Sequence, residues 1–381
     1  MGWNWSLFRW QDALLAVALV TGIESRAEAQ DSVLKTKPVA PQVTGTKRIV
    51  KIGNNEVVAI AAQKGWLQEE LAKVNTTPQI VDISAFGSSG TTAALYDRGD
   101  LHIAQSMMNG ALQNRAQGLD NVFIWQSVNV KPERAVTLVL KDGNIYKPED
   151  LKGKTLASSL TSCPYYAGVE SLRAKGVSVD NEWAKGDLRY LNITNQASGQ
   201  AAFLSGRFDV AAWHPQSAAA LYVQGLVREV TQAVPGGIYT NGAGRSAYST
   251  TKQFARDNPD IIKAFLIAWD KTVRWLYANN GANLNEAATI TSRALRQTKS
   301  VALFNLKGAH ETAYEYGVTD YWDAVNAIKR FWKYQIEYRD PFFTKHQISD
   351  KEIEALVDKR FFAGGEYFVD VSEKRQVALR N

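Results

Sequence analysis

The sequence predicts an α/β protein of two similar lobes followed by a helical segment. Three observations predict it. First, a unit recurs without gaps, Ser89–Ala104 and again Ser198–Trp213, sharing Ser89/Ser198, Gly90/Gly199, Ala93/Ala202, Leu95/Leu204, Arg98/Arg207 and Asp100/Asp209. Second, each copy follows a β-branched run and reads strand, loop, helix, turn, strand. Third, beyond Pro259 the apolar spacing turns to a helical period and stays there. One recurrence makes two lobes, whereas a solenoid needs three or more stacked units.

In chain order, residues 1–29 read as a secretory signal peptide. Arg9 precedes the apolar run Ala13–Val20, and Ala27-Glu-Ala29 is a small-x-small cleavage pattern. The run is too short to span a bilayer. Residues 30–46, with Pro38, Pro41 and Gly45, form a flexible leader. Lys47–Ile52 is the first strand, ending in the polar loop Gly53-Asn-Asn-Glu56, and a helix runs from Val57 to Gly65. Pro78–Ile83 is the second strand, and the first copy of the unit follows, its strand at Leu101–Ala104. A further helix leads to the strand Val122–Val128, and Arg134–Leu140 crosses into the second lobe.

There, Lys147–Ala157 reads as a short helix, a glycine turn and a buried strand. A helix spans Tyr165–Lys175, with Pro164 in its first turn. The strand Leu188–Thr194 precedes the second copy, which ends in Trp213-His-Pro215. A helix over Gln216–Val223, a short strand Val227–Val230 and a glycine-rich return loop complete this lobe. Amphipathic helices follow at Asp260–Asn279, Glu286–Arg296, Thr319–Tyr338 and Ser349–Arg360, the last opened by the capping box Ser349-Asp-Lys-Glu352. The boundaries are residues 47–132 and 241–340 for a discontinuous lobe 1, 133–240 for lobe 2, and 341–381 for an extension packed on lobe 1.

The chemistry points to a cleft. A Ser-Gly pair before a helix offers a capping hydroxyl and a backbone that a ligand can approach. The unpaired amides and positive dipole end suit an anion. Ligands of open parallel sheets sit beyond the carboxyl ends of the strands. The 381 residues carry a formal charge of +6, and +7 once residues 1–29 are removed, but the Lys and Arg are dispersed without a nucleic-acid motif. Cys163 is the only cysteine, so no disulfide forms within the chain and no lipid-anchored N-terminal cysteine remains after cleavage. The four histidines share no ligand spacing, so neither a metal nor a cofactor is expected. Cys163 at a helix start and His214 at a strand end in the same lobe also admit a thiol nucleophile with its base. A lone cysteine is more often a small buried hydrophobe.

Several segments in order resemble the periplasmic substrate-binding proteins of ABC importers for nitrate, sulfonates and taurine. They are Lys64-Gly-Trp-Leu67, the Gly/Ser-rich loop before a helix, Gly99-Asp100, Asp150-Leu-Lys-Gly-Lys154 and Gly206-Arg-Phe-Asp-Val-Ala-Ala-Trp-His-Pro215. The match runs from about Lys47 to Tyr338. The resemblance implies a Venus-flytrap fold with two crossover strands at the hinge, and a monomer in the periplasm that hands a small anionic organic solute to a membrane permease. It implies a ligand pocket drawn from Asn54, Asn55, Glu56, Ser88, Ser89, Gly90, Met108, Asn109, Ser162, Cys163, Tyr166, Trp213, His214 and Arg245. No catalytic residue is assigned. The family places Asp or Glu between the Trp and the Pro, where this chain has His214. Desulfinases of this fold carry a nucleophilic cysteine in the first-lobe loop, which here is Gly53-Asn-Asn, so a cysteine-dependent enzyme is the alternative.

Overall fold

The structure, a computed structural model, describes residues 46–83, 89–127, 132–160, 162–180, 185–193, 196–311, 320–337 and 341–370. All of them belong to one unit, Pro38–Asn381. The expected signal peptide, most of the expected leader, Ser88 and residues 371–381 lie outside the described residues.

Strand β1 (Arg48–Gly53) pairs in parallel with β2 (Thr76–Val81), Arg48 opposite Thr76. Helices α1 (Glu56–Gln63) and α2 (Trp66–Ala72) join them. Gly65, at a φ of +77°, makes the left-handed bend between the two helices, so the expected helix stop is also the start of a second helix. Next come α3 (Ser89–Asp97), β3 (Ala104–Met107), α4 (Met108–Ala116) and β4 (Asn121–Gln126).

Strands β3 and β4 do not pair with each other. Between them lies β10 (Ser246–Thr251), antiparallel to both, with Tyr248 opposite Gln105 on one side and Trp125 on the other. Rings pack where this strand is buried: Trp125 lies 4.7 Å from Trp269 and 5.8 Å from Tyr248. Each such ring removes a large apolar area from water, worth about 1.5–3 kcal/mol.

The residues between β4 and β10 build a separate five-stranded sheet. It contains β5 (Val136–Leu140), β6 (Thr155–Ser158), β7 (Arg189–Asn192), β8 (Val210–Trp213) and β9 (Val227–Gln232), in the order β7-β6-β8-β5-β9. Strands β7, β6 and β8 run parallel, and β5 is antiparallel to β8 and β9. Helices α5 (Cys163–Arg173), α6 (Gln196–Leu204) and α7 (Ala219–Val223) connect them. The chain thus passes between the sheets twice, before β5 and after β9, and the second passage carries a π-helical turn, Tyr239–Ala243. The architecture is the two-lobed α/β fold that the sequence implied.

Helices α8 (Lys252–Asp257), α9 (Pro259–Gly281), α10 (Leu284–Ala294), α11 (Lys299–Glu311), α12 (Tyr321–Glu337), α13 (Pro341–Lys345) and α14 (Asp350–Glu354) complete the described chain. Helix α9 is broken at Ala278–Asn280, where Asn279 and Asn280 take left-handed backbone. Ser349 and Glu352 form the expected capping box. Residues after α14 lie along β4: Phe123 N donates to Leu356 O at 2.7 Å, and Asp358 N donates to Phe123 O at 3.0 Å. Two of the late helices touch the five-stranded side. Phe304 of α11 stacks on Tyr222 of α7 at 5.2 Å, and Phe331 of α12 meets Tyr166 of α5 edge-on at 5.5 Å.

Two expectations about the repeated unit need correction. The first strand is Ala104–Met107 rather than Leu101–Ala104, three residues later than its counterpart β8. In the second copy Ser198-Gly199 lies inside α6, which starts at Gln196, so the pair is not a helix cap there. Gly199 serves packing instead: a Cβ there would stand 2.8 Å from Ile193 Cγ2 and 3.5 Å from Trp213 Cζ2.

Gly168, in the middle of α5, has a comparable role, since a Cβ there would lie 2.8 Å from the Ala212 methyl on β8. Overpacking of this kind typically costs about 1–3 kcal/mol. Gly168→Val is therefore expected to lower the free energy of unfolding, read from urea denaturation, by about 1–3 kcal/mol. A variant as stable as the parent would show that α5 is free to move off β8.

Candidate functional site

The carboxyl ends of β1, β3 and β8 converge on a cavity of about 240 Å³. Its walls come from distant parts of the chain. Glu56 and Val57 begin α1, Gln105 and Met107 belong to β3, and Arg134 precedes β5. His214, Gln216 and Ser217 follow β8, and Ser246 opens β10. Leu276 and Tyr277 end the regular part of α9, and Asn305 and Leu306 lie on α11.

Local chemistry fixes these groups. Asn55 caps α1 by accepting from Val58 N at 2.9 Å, and its amide donates to Gln105 Oε1 and to the Tyr248 hydroxyl, both at 3.0 Å. One side chain thus starts the helix carrying Glu56 and orients Gln105 on β3. Across the cavity, His214 is held at both ring nitrogens. Nδ1 lies 2.6 Å from the Arg134 carbonyl oxygen and Nε2 lies 2.9 Å from Cys163 Sγ. A carbonyl only accepts, so Nδ1 carries the proton and the Nε2 lone pair faces the thiol. Burial drives the imidazole down to about 4, opposed by its bond to the Arg134 carbonyl, and it drives the Cys163 thiol up to about 12. Both groups therefore stand neutral near pH 7.

The structure brings some of the expected site residues to this cavity and assigns others elsewhere. Glu56 and His214 line it. Asn55 supports its wall through Gln105, and Cys163, 5% exposed, stands beside it on His214. Asn54 reaches away, its amide 3.4 Å from Ala294 O. Met108 is a core residue at the start of α4, while its neighbour Met107 lines the cavity, and Asn109 is buried one position further on. Ser162 caps α5 by accepting from Tyr165 N. Tyr166 packs on Tyr165 and Phe331, and Trp213, 3% exposed, packs on Phe203 and Phe208. The ring of Trp213, implied as a pocket residue, is thus turned into a lobe core. Ser88 lies outside the described residues, and for Ser89 and Gly90 only the backbone start of α3 is described.

Arg245 requires the plainest correction. The resemblance implied it as a pocket residue. Instead it is 2% exposed and donates to Asp323 Oδ2 of α12 at 2.8 Å. Burial pulls its guanidinium below the usual range, and the Asp323 carboxylate opposes that shift. The cavity wall carries Arg134 instead, at the start of the crossover strand. Gln216 and Ser217 could have been found, because they directly follow Trp213-His-Pro215. Asn305 carried no signal: α11 was not expected as a helix, and only the tertiary fold places it here. Among the described residues, no three His, Cys, Asp or Glu side chains gather as a metal would need, and no helix is long and apolar enough to cross a membrane.

Comparison with known proteins follows the same outline. The sequence model described as NMT1/THI5 like matches residues 54–282. No curated protein matches the chain by sequence. Among solved structures, the alkanesulfonate-binding protein SsuA from Xanthomonas axonopodis pv. citri, bound to MOPS, is similar with a TM-score of 0.64 at 17% identity. That match covers 82% of this chain and 99% of that one. The periplasmic aliphatic sulphonate binding protein SsuA from Escherichia coli gives 0.60 at 16% identity, covering 79% and 97%. A cysteine-to-serine variant of DSZB, in complex with biphenyl-2-sulfinic acid, gives 0.58 at 14% identity, covering 84% and 97%.

The neutral state of His214 has a consequence for stability. Between pH 6.5 and about 4 the unfolded chain takes up a proton that the folded imidazole refuses. This contribution is complete above pH 6.5 and is lost as the pH falls toward 4, by roughly 3 kcal/mol in all. In chemical denaturation, the loss of stability from pH 7 to pH 4.5 is expected to be about 2–3 kcal/mol smaller in His214→Gln than in the parent. An equal loss in both proteins would mean that the folded imidazole protonates freely.

Proposed function

The chain belongs to the NMT1/THI5-like family, and on that premise we propose that it is a solute-binding protein that captures a small organic anion of the sulfonate kind. The observation that carries this reading is the cavity of about 240 Å³ beyond the strand ends, with Arg134 on its wall and apolar Val57, Met107, Leu276 and Leu306 beside it. A guanidinium offers several donors to an oxyanion, and the apolar wall accepts an organic body. The similar structures that bind sulfonates support the same ligand class. In this reading the N-terminal segment exports the chain to the periplasm, lobe 2 comprises residues 133–240, the lobes close on the ligand, and a membrane permease of an ABC importer receives it as from a monomeric carrier.

A charge-assisted hydrogen bond is worth about 1.5–3 kcal/mol, which is roughly ten-fold to a hundred-fold in affinity. Titration calorimetry with butane-1-sulfonate is expected to show a loss of that size in Arg134→Gln. Arg245→Ala should act differently, lowering the unfolding midpoint because it leaves the Asp323 carboxylate without its buried partner. Affinity lost in Arg245→Ala at unchanged stability, with Arg134→Gln binding normally, would return the anion site to Arg245.

A second reading, a cysteine-dependent desulfinase, is favoured by one contact, Cys163 Sγ to His214 Nε2 at 2.9 Å. It gains support from the similarity to DSZB. In that reading the thiol proton passes to Nε2 as Sγ attacks the sulfinate sulfur, the carbon–sulfur bond breaks and the leaving carbon takes the proton from the imidazolium, which the Arg134 carbonyl steadies; water then cleaves the new sulfur–sulfur bond, releasing sulfite and restoring the thiol. Against it, the thiol is buried and held far above neutral pH, and the cavity wall is His214 rather than Cys163. Incubation with benzenesulfinate is expected to release no sulfite. Sulfite produced by the parent and not by Cys163→Ser would establish the enzyme.

A further inference from the structure

The guanidinium of Arg134 sits on a short piece of chain. Arg134 ends the 3-10 turn Pro132–Arg134, three residues long, just before β5. Such a turn supplies few hydrogen bonds of its own, so its place depends on what holds its carbonyls. Ala233 N, just beyond β9, donates to Ala135 O at 3.0 Å. At Arg134 itself the holder is a side chain: His214 Nδ1 lies 2.6 Å from Arg134 O. That ring lines the same cavity as the guanidinium.

The imidazole can do this in one tautomer only. A neutral ring has one N–H and one lone pair. With its proton on Nδ1 it donates to the carbonyl, whereas with the proton on Nε2 two acceptors would face each other. Cys163 favours the first form. Its thiol keeps its proton near pH 7 and, 2.9 Å away, needs the Nε2 lone pair as acceptor. Tyr239 brings in the second passage, its hydroxyl 3.3 Å from Nδ1, while the neighbouring Ile238 N donates to Glu170 Oε1 at 2.9 Å. Both passages between the sheets therefore meet on one ring. His102 has the opposite arrangement: its Nδ1 accepts from Lys51 N at 3.1 Å, so its proton stands on Nε2.

We propose that His214 is a positioning residue for the Arg134 guanidinium, its Nδ1–H holding the Arg134 backbone where the side chain can meet an anion. This deepens the sulfonate reading and rests on it. It also gives the buried Cys163 a part in the site that needs no contact with the solute.

Asparagine and leucine have nearly the same shape, and at position 214 only asparagine keeps a donor near the place of Nδ1. Full-length parent, His214→Asn and His214→Leu are titrated with butane-1-sulfonate by calorimetry, each also combined with Arg134→Gln. His214→Leu is expected to lose about as much affinity as Arg134→Gln, roughly ten-fold to a hundred-fold, and His214→Asn to stay within about three-fold of the parent. In the Arg134→Gln background His214→Leu should cost nothing further, because a residue that acts through Arg134 has nothing left to position. Additive losses would show that the ring meets the solute itself and would overturn the proposal. So would a leucine variant that binds like the parent, or an asparagine variant as weak as the leucine one. Each of these results leaves the sulfonate reading standing, whereas a parent that does not bind the probe overturns that reading and this inference together. One measurement depends neither on binding nor on a folded leucine variant. Proton–nitrogen NMR of the imidazoles near pH 7 should place the His214 proton on Nδ1 and the His102 proton on Nε2, the His214 signal being the one absent from His214→Asn. A His214 proton found on Nε2 would overturn the proposal.

Discussion

The strand Ser246–Thr251 is the constraint on which the architecture depends. It fills the gap between β3 and β4, so the first sheet is incomplete until the chain has left, built the five-stranded sheet and come back. The excursion between β4 and β10 is therefore bounded by hydrogen bonds at both ends. Its two ends are held side by side: Ser127 N donates to Ser246 O at 2.9 Å, and Ala233 N donates to Ala135 O at 3.0 Å. Ser246 lines that cavity because β10 starts there, and Arg134 lines it because β5 starts nearby. Such long-range pairing pays its loop-closure entropy before it gains contacts, which places this sheet late in folding on general grounds.

The second organising contact is electrostatically quiet. His214 joins the carbonyl before β5, the end of β8 and the start of α5 in one hydrogen-bonded chain, and burial keeps both its ring and the Cys163 thiol neutral. Tyr239, from the second passage, brings its hydroxyl to 3.3 Å from the same ring. The result is a rigid wall without charge of its own, against which Arg134 and Glu56 are the charged features. Arg245 serves the frame instead, tying the second passage to α12 through Asp323.

Late helices give the fold its remaining definition. Contacts of α11 with α7 and of α12 with α5 link the helical segment to the five-stranded side. Asn305 on α11 thereby couples the cavity wall to the same helix that makes one of these contacts.

The local alternation of strands and helices, the capping box at Ser349 and the two-lobed class were legible in the sequence, because they depend on periodicity, caps and turns within a few residues. The return strand was not. Ser-Ala-Tyr-Ser-Thr-Thr has too little apolar alternation to signal a strand, and it is one because two partners hold it. The lining of the candidate site was legible only in part, for the same reason. Glu56 and His214 follow strand ends, where local pattern already points to a ligand, and both line the cavity. Trp213, Tyr166 and Arg245 sit at equally suggestive positions in the sequence, yet their side chains turn into the core or onto Asp323. Sequence determined that Glu56 and His214 follow strand ends. The tertiary structure alone decided which way each side chain faces, because that is set by what packs behind it, and the packing partners, Phe331, Asp323 and Asn305 among them, lie far away in the chain.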